Sequence, residues 1–199
     1  QRAVERRMDA TRTMTTLPND QSHPAHAQDA MPEHRIRRTR IKLCGLSTVG
    51  HIAHAIDLGA DAIGLVFYPA SPRSVSVAQA VELTRDIPPF VSVVGLFVNA
   101  SPEWMREVAA NVPLTMLQLH GDETPDQCES LANIAGLPWL RALRIGADTQ
   151  RADLVKSALN YSAASAILLD ALVYGYGGCL QVFDWSLIPP EIKRRDVLC

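Results

Sequence analysis

The run Arg40-Ile41-Lys42-Leu43-Cys44-Gly45 decides how the rest of the chain is read. In an extended strand alternate side chains share a face, so Lys42 and Cys44 point one way and Ile41 and Leu43 the other. Gly45 permits a sharp turn, and Ser47-Thr48 offers a side-chain oxygen to cap a following helix. The stretch therefore predicts a strand that ends in a thiol, with a cation on the same face. A nearby ammonium favours the thiolate, a usable base or nucleophile. A small buried hydrophobe is the other role open to Cys44.

Beyond this strand the chain alternates between two patterns. Thr48–Leu58 has helical spacing, with Val49, Ile52, Ala53 and Ile56 on one stripe and Gly59 as a stop. Ala62–Phe67 is a continuous apolar run, as expected of a parallel strand covered on both faces. A loop over 68–74, a helix over 77–86, a strand over 91–98 and a helix opened by Ser101-Pro102-Glu103 follow. Strands are then expected over 116–120, 140–145 and 166–170, with helices over 124–135 and 148–161. The glycine-rich loop Tyr174-Gly175-Tyr176-Gly177-Gly178 precedes a helix expected over 185–195 and a strand starting at 196–199. Short apolar strands alternating with amphipathic helices specify a parallel sheet with right-handed crossovers.

A doubly wound sheet and a (β/α)8 barrel both fit this alternation. The dinucleotide fingerprint is missing after the first strand, where Cys44-Gly45-Leu46-Ser47 stands. Cys44, His120 and Asp170 instead fall at strand ends, which a closed barrel brings onto one rim. The barrel is the reading, apparently truncated after about six βα units, because eight units take roughly 200 residues or more. Unclosed, its first and last strands would be open to self-association.

Residues 1–39 alternate short polar and charged runs with three prolines and read as a flexible polar extension. Residues 40–199 form the barrel domain. Of the formal charge of −2, the extension carries +2 and the domain −4, which gives no basic surface for nucleic acid. The four cysteines lack metal-ligand spacing, and His23, His26 and His34 are irregularly placed, so no metal site is expected. With neither a membrane-length apolar run nor a visible leader, the expected compartment is the cytoplasm.

Six motifs in register now carry a resemblance: Arg40–Gly45, Gly59–Phe67, Ser71-Pro72-Arg73, Leu117–Glu123, Leu168-Leu169-Asp170, and Gly175–Gly178 with Phe183-Asp184-Trp185. Together they resemble the phosphoribosylanthranilate isomerase family, TIM-barrel enzymes of tryptophan biosynthesis. The resemblance spans Arg40–Cys199. It implies a cofactor-free Amadori rearrangement of N-(5-phosphoribosyl)anthranilate to 1-(2-carboxyphenylamino)-1-deoxyribulose 5-phosphate. It further implies Cys44 as base and Asp170 as acid, whose pKa must then rise towards neutrality. Arg73 would pair with the anthranilate carboxylate, with Gln118 and His120 lining the pocket and Gly177 and Gly178 offering backbone N–H groups to the phosphate. Cys179-Leu180 depart from the usual Thr-Gly, and the rest of the family's phosphate site lies on loops after strands seven and eight. Two other readings are an inactive barrel fragment that pairs with another chain, and a relative of indole-glycerol-phosphate synthase. The latter needs a lysine and carboxylates inside the barrel, and beyond the arginine-rich tail only Lys42, Lys156 and Lys193 are on offer.

Overall fold

The computed structural model describes residues 38–146, 148–171, 185–188 and 197–198. Seven strands form one parallel sheet: β1 (Lys42–Cys44), β2 (Ala62–Val66), β3 (Ser92–Phe97), β4 (Met116–Leu119), β5 (Trp139–Ile145), β6 (Ala166–Ala171) and β7 (Val197–Leu198). Five helices cross between the first six: α1 (Val49–Asp57), α2 (Val77–Thr84), α3 (Pro102–Asn111), α4 (Pro125–Ala135) and α5 (Arg151–Asn160). The strands lie in strict sequence order, β1 to β7. A doubly wound sheet reverses its order at a switch point, so the sequential order selects the barrel topology.

Local chemistry explains where the helices begin. Thr48, Ser76, Ser101 and Thr124 each accept a hydrogen bond from a backbone N–H of the first turn, and Gln79 and Gln127 complete capping boxes. Gly136 closes α4 in a left-handed conformation. The helix expected over 185–195 begins as a 3-10 turn, Trp185–Leu187. Its remainder lies outside the described residues, as do the extension at 1–37 and the loop at 172–184.

Register sorts the side chains onto two faces. Lys42 and Cys44 pair with Ala62 and Gly64, and the ladder continues through Val94 and Leu96 to Met116 and Gln118. Gln118 then pairs with Leu140, and Leu140, Ala142 and Arg144 pair with Ala166, Leu168 and Asp170. Paired residues of a parallel ladder share a face, so these define the inner surface. The other parity (Ile63, Leu65, Val93, Phe97, Leu117, Leu119, Trp139, Ile167 and Leu169) forms the hydrophobic core against the helices. Helix α1 corrects one expectation: it packs through Ile52 and Ala55 with Ile56 at the margin, while Val49 and Ala53 are exposed. Ile41 and Leu43 are also exposed on the outer side of β1, and among the described residues β1 pairs with β2 alone.

Candidate active site

The inner surface carries polar groups at its C-terminal rim, where Cys44, His120, Arg144 and Asp170 stand. Cys44 ends β1 and is half-buried. Its sulfur fits because position 64 is glycine: a Cβ there would lie 2.6 Å from the Cys44 Sγ. Gly45 follows with φ +83, and a Cβ on it would meet the Arg73 side chain at 2.7 Å. The turn after β1 thus makes room for Arg73, whose NH1 donates to the Cys44 carbonyl oxygen at 3.3 Å. Arg73 is otherwise exposed in the loop after β2.

From β1 a chain of hydrogen bonds crosses the inner surface. Lys42 Nζ donates to Gln118 Oε1 at 2.9 Å, Gln118 Nε2 meets His120 Nδ1 at 3.1 Å, and His120 Nε2 meets Asp170 Oδ2 at 3.1 Å. In a flat sheet β1 and β4 would stand about 14 Å apart with parallel side chains. Curling turns the inner side chains of β1, β4 and β6 towards one another. The sequence reading placed the Lys42 charge beside the thiol; its hydrogen bond goes to the Gln118 amide instead. Gln118 is buried, and both ends of its amide are engaged within the protein.

Asp170 departs from its expected electrostatics. An acid working near neutrality calls for a raised pKa, yet this carboxyl is held below its ordinary value. The hydrogen bond from His120 is the largest cause; partial burial works against it, and electrostatic attraction from His120, Arg144 and Arg73 adds to it. The side chain remains 49% exposed, so desolvation does not prevail. Arg144, which the sequence reading passed over, ends the inner face of β5 opposite Asp170 and donates to the His120 carbonyl oxygen at 3.1 Å. Its signal was the two-residue period Leu140, Ala142, Arg144.

A second cluster, also missed, anchors the loop that carries His120. Glu123 and Arg141 form a buried ion pair at 2.6 Å. Glu123 accepts from the backbone N–H groups of Asn99 at 2.7 Å and Gly121 at 2.9 Å, while Arg141 donates to the carbonyl oxygens of Leu119 and Gly121. The Tyr161 hydroxyl donates to the Glu123 carbonyl oxygen, and its ring lies 4.9 Å from the Arg141 guanidinium. Asn99, at φ 48, accepts from the Asp122 N–H at 2.8 Å, so the loops after β3 and β4 are bonded together.

Among the described residues, Cys128 is the other free thiol. It is buried in α4, and burial pushes it up to about 11, which leaves it a packing residue. No group of described residues could hold a metal ion, and no described helix is long and apolar enough to cross a membrane. Gly177, Gly178 and Cys179-Leu180 lie outside the described residues.

Residues 41–198 match the family model described as N-(5'phosphoribosyl)anthranilate (PRA) isomerase. The N-(5'-phosphoribosyl)anthranilate isomerase of Ralstonia nicotianae is 58% identical over 161 residues, covering 81% of this chain and 67% of that protein. The Ralstonia pickettii enzyme is 55% identical, covering 81% and 66%. The chain thus spans about two thirds of the length of these relatives. Among solved structures, phosphoribosyl anthranilate isomerase from Thermotoga maritima superposes with a TM-score of 0.70 at 36% identity, covering 81% of this chain and 77% of that one. A second isomerase structure, in complex with reduced 1-(o-carboxyphenylamino)-1-deoxyribulose 5-phosphate, gives 0.67 at 36% identity, covering 81% and 74%. The family match over residues 41–198 and the identity to these relatives agree with the fold derived above, and the chain belongs to the N-(5'-phosphoribosyl)anthranilate isomerase family.

Proposed function

We propose that this inner rim isomerises N-(5'-phosphoribosyl)anthranilate without a cofactor, with Cys44 as base and Asp170 as acid. The observation that carries the assignment is their placement: a half-buried thiol and a half-exposed carboxyl occupy strand ends on the same face of one curled sheet. Asp170 gives a proton to the furanose ring oxygen, and the C1–O bond breaks to leave an iminium. Cys44, as thiolate, then takes the C2 proton, and the enolamine tautomerises to the ketone. The atoms of substrate and product are the same, so no oxidant or reductant enters.

The carboxyl must hold a proton when the ring opens, and free Asp170 favours ionisation. Substrate binding reverses that balance by excluding water from a group now about half exposed. An anthranilate carboxylate paired with Arg73 also neutralises one of the cations that stabilise the Asp170 anion. Gly177 and Gly178 supply N–H groups to the phosphate in this reading, and Arg144 adds positive charge at the rim. His120 and Gln118 serve the pocket from its wall.

The reading takes residues 40–199 as the isomerase domain and 1–39 as an extension. It places the protein in the cytoplasm, where the Cys44 thiol stays reduced. The edge of the sheet at β1, open among the described residues, is the surface through which copies would associate. Turnover of N-(5'-phosphoribosyl)anthranilate by the purified protein, compared with Cys44→Ala, tests the chemistry. The variant should lose activity while keeping the native circular dichroism spectrum. Unchanged kcat in Cys44→Ala would overturn the base assignment.

A further inference from the structure

The hydrogen-bond chain across the inner surface has a direction, and its starting point sets it. A lysine ammonium only donates, so the atom 2.9 Å from Lys42 Nζ must accept. That atom is Gln118 Oε1, which leaves the amide NH2 facing His120. Reversing the amide would set two donors against each other in a buried site, at the cost of an unmade hydrogen bond. The NH2 group has no lone pair to offer His120 Nδ1, so Nδ1 must accept. A neutral imidazole that accepts at Nδ1 carries its proton on Nε2, the nitrogen 3.1 Å from Asp170 Oδ2.

From this geometry we infer that Lys42 and Gln118 are positioning residues that fix His120 as the Nε2–H tautomer, so that a neutral imidazole N–H holds one oxygen of Asp170. The consequence is specific. His120 cannot take a proton at Nδ1 without breaking its bond to Gln118, so it serves as a fixed donor rather than a proton carrier. Oδ2 is occupied by that donor, which leaves Oδ1 as the carboxyl oxygen open to a ligand among the described hydrogen bonds. The charged groups facing this chain are Lys42 on β1, bonded to Gln118; Arg144 on β5, bonded to the His120 carbonyl; Asp170 on β6, bonded to the ring; and Arg73 in the loop after β2, which attracts Asp170. Among these charges, the second nitrogen of the imidazole is already engaged as an acceptor. The catalytic meaning of this arrangement rests on the acid role proposed for Asp170; the tautomer does not.

The test reads the ring nitrogens of substrate-free, 15N-histidine-labelled full chain at mildly alkaline pH, with His120 assigned by comparison with His120→Asn. The wild type should show a pyrrole-like Nε2 and a pyridine-like Nδ1. Gln118→Glu presents only acceptors to Lys42 and to Nδ1, and should place a second proton on the ring. Lys42→Met frees the amide to rotate and should give a mixture of tautomers, and Lys42→Arg, also a donor only, should restore the wild-type pattern. A proton on Nδ1 in the wild type, or a Gln118→Glu ring still protonated on Nε2 alone, would overturn the inference. If Lys42→Met fails to fold, the near-isosteric Gln118→Glu decides. Because no substrate is present, failure here is distinct from failure of the turnover comparison with Cys44→Ala.

Discussion

Two acid–base pairs stand on opposite faces of the same sheet, and they differ most in their access to water. Glu123 and Arg141 lie on the helix side, with side chains 3% and 7% exposed. Asp170 and His120 lie on the inner side, at 49% and 18%. The buried carboxylate accepts from two backbone N–H groups and a guanidinium, so nearly all of its acceptor capacity is used. The inner carboxylate has one protein partner among the described hydrogen bonds. A pair whose lone pairs are consumed by the fold can only hold the fold; a pair with an oxygen left over can meet a ligand.

The sharpest way to break this comparison is to exchange the consequences of the two pairs. Asp170→Asn should reduce kcat by about 10²–10⁴-fold, the usual scale for losing a general acid. Its melting temperature should stay close to wild type, because a half-exposed pair contributes little to stability. Glu123→Ala should behave oppositely in stability. It leaves the Arg141 guanidinium buried without its carboxylate, a loss on the order of 3–5 kcal/mol. In a protein of this size that lowers the melting temperature by roughly 10 °C. Thermal melts and turnover on the same two preparations check both statements. A strongly destabilised Asp170→Asn, or a Glu123→Ala that melts like wild type, would remove the distinction.

A smaller change sharpens the inner side alone. Gly64→Ala puts a methyl where the Cys44 sulfur sits, 2.6 Å away. The thiol must move or the strands must part, at a cost of about 1–3 kcal/mol for overpacking. Displacing a reacting group by ~1 Å can cost about 10²-fold in rate. We expect kcat to fall with the fold retained, and the rate of Cys44 alkylation to change in parallel. Wild-type kcat in Gly64→Ala would show that the thiol position is not critical.

The sequence conveyed the scaffold more fully than the wiring. Strand β2 was legible because Ala62–Val66 is apolar without interruption, and α3 and α4 because Ser101-Pro102 and Thr124-Pro125 announce their first turns. Sequential strand order followed from strand-end chemistry, since Cys44, His120 and Asp170 could converge only on a rim. What the sequence hid were partners far apart in the chain. Lys42 and Gln118 are 76 positions apart, and only the curl of the sheet joins them. Glu123 reads as a loop carboxylate in a solvated turn until the outward parity of Arg141 places a guanidinium beneath it. The direction of the Asp170 shift was equally illegible, because it depends on a hydrogen bond and on exposure, neither of which residue identity supplies.

The smallest expected effect, in acid, separates the part the imidazole plays at Asp170 from that of the arginines. Its folded pKa is lowered, so the native state binds fewer protons than the unfolded chain between the folded value and the ordinary one. Stability therefore rises with pH across that interval. The contribution is fully present above the ordinary carboxylate pKa of ~3.9 and is lost as pH falls through the folded value. The His120 hydrogen bond is the largest lowering cause and burial the raising one, with electrostatic attraction from His120, then Arg144 and Arg73, adding to the lowering. His120→Asn removes both contributions of the imidazole and leaves burial and the two arginines, so the Asp170 titration should move upward. Carboxyl 13C shifts followed against pH, in wild type and variant, measure it directly. The upward shift should be accompanied by a flatter acid limb of the stability curve in His120→Asn than in wild type. Coincident Asp170 titrations would mean that the arginines, not the imidazole, hold the carboxylate ionised, and the inner pair would lose its place in the comparison.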